Sequence, residues 1–157
     1  VAVTVRSLIL HRVIDLPPVI VWDALVDPVL VGGWLGEAVI DARPGGLYRV
    51  GWVGSVHHPA LEGRIERMSP RESLTLSTDR HGSIRFTLHP LDGGTRGLAT
   101  RLDVGIEVEI DPVFIPRLER IWSTALDQLI ELLRGHPVEW VGAPGVDPAA
   151  PSQPRLA

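Results

Sequence analysis

Residues 111–134, DPVFIPRLERIWSTALDQLIELLR, decide the fold. Apolar side chains recur at Ile115, Leu118, Trp122, Ala125, Leu126, Leu129 and Leu133, spacings of three and four that stack on one helical face. Ile121, Ile130 and Leu132 widen this arc, and the opposite arc carries Arg117, Arg120, Thr124, Asp127, Gln128, Glu131 and Arg134. Asp111 with Pro112 marks a start, and Pro116 moves the onset of regular helix a few residues later. Gly135 supplies a left-handed cap, and Pro137 forbids continuation. A helix of roughly 20 residues is about 30 Å long, so its single apolar stripe needs a large partner.

Upstream, the sequence reads as that partner. Residues 3–14 (VTVRSLILHRVI) predict a strand, with Leu8, Leu10 and Ile14 on the same alternation as Arg12. Asp15-Leu16-Pro17-Pro18 ends it and opens a short helix over 19–26, with Val21, Trp22 and Leu25 inward. Asp27-Pro28 repeats the signal for a second short helix, which Gly32-Gly33 terminates just before Trp34. Short alternating runs then follow at 38–42, 47–53, 61–68, 74–77, 84–89 and 95–104, separated by turn signals such as Pro44-Gly45-Gly46 and Asp92-Gly93-Gly94. In the last run the alternation turns Leu98, Leu102 and Val104 inward. The order is one strand, two short helices, six strands and one long helix. Strands joined by tight turns form an antiparallel meander, and its apolar face must pack against the helix stripe. Residues 1–140 therefore form a single domain of the α+β class. Residues 141–157, rich in Pro, Ala and Gly, read as a flexible tail.

Composition narrows the function classes. With 157 residues the chain suits one domain with a sizeable core, and 45% hydrophobic and 22% charged residues are ordinary for a soluble globule. No apolar run reaches the length of a membrane span, and the apolar stretch near the start is too short for a signal peptide. A net charge of −4 argues against nucleic acid as a partner. The absence of cysteine removes thiolate chemistry and disulfides, and makes the cytoplasm the default location. All fifteen basic residues are arginine, a bias of composition rather than of a site.

Catalytic and metal-binding patterns are sparse. His57-His58 with Glu62 lacks the spacing of a zinc site, and no metal or cofactor is expected. Ser55 and Ser83 lie outside any nucleophile elbow, and the Gly-Gly pairs are turns rather than phosphate cradles. His11 and His89 are lone strand residues. Glu119 sits at the edge of the helix's apolar arc, where it would stand at a cavity mouth or pair with an arginine on the rim. Trp34, Tyr48, Trp52, Phe86 and Trp122, with Leu118, either line an apolar pocket or fill the core.

The run VIDLPPVIVWDALVDPVLVGGWLG (13–36) resembles the opening of the START-like, or SRPBCC, superfamily, in its branch homologous to the activator of heat-shock protein 90 ATPase. Leu16-Pro17, Val21-Trp22-Asp23-Ala24-Leu25, Asp27-Pro28 and Trp34 carry the likeness. ARPGGLYRV (42–50), LEGRIERMSPRESLTLST (61–78) and DGGTRGLATRL (92–102) extend it, with Gly97 where the family has a larger apolar residue. The resemblance spans about residues 5–135. It implies the helix-grip fold, a seven-stranded antiparallel sheet curled around the long C-terminal helix, often with a cavity between them. It would turn Gly97, Ala99 and Arg101 toward that cavity, against the simple alternation. No catalytic motif comes with it, and the eukaryotic activator's second, N-terminal domain has no room here. The readings that follow are, in order, a binder or carrier of an apolar small molecule, a chaperone-activating interaction module, and a cyclase or dehydrase. Its oligomeric state is left open between monomer and homodimer.

Overall fold

The computed structural model describes residues 4–51, 61–79, 81–95 and 97–138. Seven strands, β1 (Thr4–Ile14), β2 (Glu37–Ile40), β3 (Leu47–Gly51), β4 (Leu61–Ser69), β5 (Ser73–Thr78), β6 (Ser83–Asp92) and β7 (Leu98–Ile110), form one sheet in the order β1-β7-β6-β5-β4-β3-β2. Every pairing is antiparallel. Two short helices, α1 (Pro18–Val26) and α2 (Pro28–Val31), fill the connection from β1 to β2, and α3 (Ile115–Leu133) closes the chain of elements. The helix-grip architecture that the resemblance implies, and with which the expected element order agrees, is the one observed. Residues 141–157, Trp52, Ser55 and His57-His58 lie outside the described residues.

Local chemistry accounts for the boundaries. Asp111 caps a single 3₁₀ turn (Pro112–Phe114) by accepting from the Val113 amide at 3.0 Å, and regular α3 begins at Ile115. Gly135 ends it with φ 91°, a conformation that disfavours any other side chain. Asp27 caps α2 in the same manner, accepting from the Val29 amide at 2.9 Å.

The core lies between the inner sheet face and α3. Ile65, Leu74, Leu76, Ile84, Leu102 and Val104 are fully buried, as are Leu126 and Leu129 facing them from the helix. Arg12 shares the inner alternation with Leu8, Leu10 and Ile14, and it resolves that conflict by reaching α3. Its guanidinium donates to Ser123 Oγ at 2.8 Å and to Asp127 Oδ1 at 3.1 Å. β7 differs from expectation in two ways. It runs on to Ile110, because its far half pairs with the start of β1 (Thr4 opposite Ile110). Leu98, expected inward, is 39% exposed, since it stands at the strand's first position, beyond the reach of the core. Ala99 and Thr100 are both buried, as the resemblance implied for Ala99, and alternation holds from Thr100 onward. Leu102 and Val104 are buried, while Arg101 points outward and pairs with Asp103 at 3.0 Å.

Candidate functional site at the sheet–helix junction

Four of the expected site residues come together in the core: Trp34 after α2, Tyr48 on β3, Phe86 on β6 and Trp122 on α3. Each is no more than 1% exposed. The ring of Phe86 meets that of Trp122 edge to face, with centroids 6.4 Å apart. Trp34 donates its indole N–H to the Ala24 carbonyl at 2.7 Å, and Tyr48 donates its hydroxyl to the Leu25 carbonyl at 2.6 Å. The last carbonyls of a helix have no partner within it, so these two rings satisfy the end of α1 from inside the core. From α3, Gln128 donates to the Trp34 carbonyl at 2.7 Å and ties that segment to the helix. Burial raises the pKa of Tyr48 well above the usual phenol value. Among the described residues Tyr48 is the one titratable side chain enclosed by the core.

Leu118 packs half-buried at the margin of this core, and Glu119 sits elsewhere. The apolar stripe of α3 continues back through Leu118 to Ile115, yet full burial begins only at Trp122. Over the first turns of the helix burial is shallower: Leu118 packs half-buried against the core, and Phe114, just before the helix, is 51% exposed. Here a groove of about 580 Å³ opens between β1 and α3. Ile9, Leu10 and Pro116 give it apolar walls, and Glu119, Arg120 and Thr124 give it polar ones. Glu119 is exposed and lines this groove.

Reading the sequence missed Arg12 and Ser123 as groove residues, and Gln128 as the link to Trp34. Arg12 carried a signal, a cation on an otherwise apolar alternation. Gln128 carried none, as one polar residue among many on the outer arc of the helix, and Ser123 belonged to neither arc. Among the described residues, no group of three His, Asp or Glu side chains is placed to hold a metal ion. No helix among them is long and apolar enough to cross a membrane.

Known proteins share this architecture. The crystal structure of CalU16 from Micromonospora echinospora matches with a TM-score of 0.68 and 26% identity, over 85% of this chain and 78% of that one. Protein CV1439 from Chromobacterium violaceum matches with a TM-score of 0.65 and 27% identity, over 81% and 96%. DynU16, described as a protein of the dynemicin biosynthetic locus, shares the fold at a TM-score of 0.68 and 22% identity; the match covers 83% of this chain and 48% of that one, about half its length. No curated protein matches the sequence. The family described as activator of Hsp90 ATPase homolog 1-like protein matches residues 15–134, from the end of β1 through α3, and the chain belongs to that family.

Proposed function

We propose that the protein binds a small molecule, with an apolar body and one polar group, at the opening between β1 and α3. The observation that carries this reading is the groove of about 580 Å³ between β1 and the first turns of α3, where Ile115 and Leu118 are only partly buried while full burial along the apolar stripe begins at Trp122. That volume falls in the range of small-molecule sites, roughly 300–1,000 Å³. An apolar body would rest on Ile9, Leu10 and Pro116, and Glu119 or Arg120 at the rim would orient the polar end. Trp34, Tyr48, Phe86 and Trp122 form the closed interior behind the site, and Trp122, one residue before Ser123 of the groove, is the natural reporter.

Titration with laurate tests the reading. Tryptophan fluorescence should change saturably and the melting temperature should rise, because a ligand selective for the native state stabilises it by mass action. Thr124→Phe, at an exposed groove position, should remove both effects. If laurate and a panel of flavonoid and polyketide-like aromatics all leave the melting temperature unchanged, the proposal fails.

A second reading follows from the family's description, activation of a chaperone ATPase. Exposed Val5, Ile9 and Val13 on the outer face of β1, each more than 60% accessible, favour protein contact. Stimulated turnover of a heat-shock-protein-90-type chaperone would support it, and unchanged turnover at saturating protein would remove it. Cyclase or dehydrase chemistry inside the core would need a titratable pair there. Among the described residues the core offers Tyr48 alone, already committed to Leu25, so any acid or base would come from the groove.

A further inference from the structure

The outer face of the sheet carries a second concavity, of about 320 Å³, on the side away from α3. Its floor is Gly105, in the middle of β7. Glycine in a strand interior lacks a side chain to pack and weakens the strand, and where it occurs it often marks close approach of another chain or a ligand. Gly105 has no structural reason of its own. Its φ is not positive, and a Cβ built on it would meet nothing within 4 Å. Gly63 on β4 is the contrast, since a Cβ there would run into the Ser77 carbonyl.

The neighbours of Gly105 lie in one unbroken cross-strand row: Arg67 opposite Thr75, Thr75 opposite Arg85, Arg85 opposite Gly105, and Gly105 opposite Ile9. Strands are about 4.8 Å apart, so Arg67 and Arg85 stand roughly 10 Å apart across the Thr75 hydroxyl. Two guanidinium groups at that separation can both reach one anion held above Thr75. Among the described residues neither arginine takes part in an ion pair or side-chain hydrogen bond. Beyond Arg85 the row becomes apolar, with the bare backbone of Gly105 flanked by Ile9, which is 71% exposed. Glu66 and Glu107 also border the concavity. They repel additional negative charge and so disfavour a polyanion.

From this row we infer a site for a small organic monoanion. Its carboxylate lies between Arg67 and Arg85, where guanidinium groups can bind it bidentately. Its flat apolar body lies over Gly105 against Ile9. This site shares Ile9 with the groove between β1 and α3, but Arg67, Thr75, Arg85 and Gly105 lie outside that groove, and the inference does not depend on it.

The probe is 2-naphthoate, with its neutral isostere 2-naphthylmethanol as control, followed by calorimetry and by amide shifts of isotopically labelled protein. Naphthoate is expected to bind saturably and to shift the amides of Thr75, Arg85 and Gly105, and the alcohol to leave them in place. Gly105→Val is expected to melt at or above the wild-type temperature and to weaken naphthoate binding at least tenfold, because the new side chain fills the floor. Arg85→Gln, at an exposed position, is expected to weaken it at least tenfold and decides the matter should Gly105→Val misfold. Unchanged affinity in Arg85→Gln, or in a folded Gly105→Val, overturns the site. So do shifts confined to Ser123 and Thr124, which would place the probe in the other groove.

Discussion

Tyr48 on β3 donates its hydroxyl to the main-chain carbonyl of Leu25 over 2.6 Å, within a core that leaves neither residue exposed. Together with the Trp34 indole on Ala24, and the Asp27 amide on the Asp23 carbonyl at 2.9 Å, it satisfies three successive carbonyls at the end of α1. Two aromatic residues that look like pocket lining are also the caps of a helix.

Tyr48→Phe keeps the ring and strands the Leu25 carbonyl without its donor. An unsatisfied buried acceptor costs about 1–3 kcal/mol, so the midpoint of urea unfolding should fall with little change in slope. An unaltered midpoint would show that the hydroxyl contributes nothing.

The same residue sets a limit at high pH. Burial raises its folded pKa above the unfolded value of about 10. Above that pH the unfolded chain releases a proton that the native state retains, so stability falls as pH rises. Tyr48 is the only tyrosine in the chain, so phenolate absorbance should appear together with loss of structure. Tyr48→Phe should lose less stability over the same alkaline range. Phenolate forming in the still-folded protein would contradict this.

Leu126→Asp places a carboxylate at a fully buried position against the sheet. Several kcal/mol of destabilisation are expected, comparable with the whole stability of a domain. A variant melting within a few degrees of wild type would mean that this face is not the core.

Arg12 separates charge from packing. Its partner Asp127 is 68% exposed, and an exposed ion pair is worth about 0–1 kcal/mol. Asp127→Ala should therefore change stability by about 0.5 kcal/mol or less. Arg12→Ala also removes the bond to Ser123 and the stem lying along the inner face, and should cost about 1–2 kcal/mol. Equal losses in the two variants would assign the whole effect to the ion pair.

The two strand glycines should respond in opposite directions. Gly105→Ala gains strand propensity without collision and should stabilise by about 0.5–1 kcal/mol. Gly63→Ala drives a methyl group into the Ser77 backbone and should destabilise by about 1–3 kcal/mol. Thermal unfolding of the pair reads both signs, and a shared sign would refute the distinction.

What the sequence determined by itself was the order of elements and the identity of the buried faces. The stripe from Ile115 to Leu133, the alternation of β3, β5 and β6, and the Asp-Pro and Gly signals are local codes, written in residues that are neighbours along a helix or strand. They sufficed to place Asp111 as a cap, Gly135 as a stop and Leu102 in the core. Tertiary structure alone decided where each polar atom found its partner. Arg12 meets Ser123 across 111 positions of chain, and Gln128 meets Trp34 across 94, distances over which no local pattern carries information. Tertiary structure also put Glu119 on the wall of an open groove, because that groove lies between β1 and α3, a relation between two elements that neither one's sequence encodes alone.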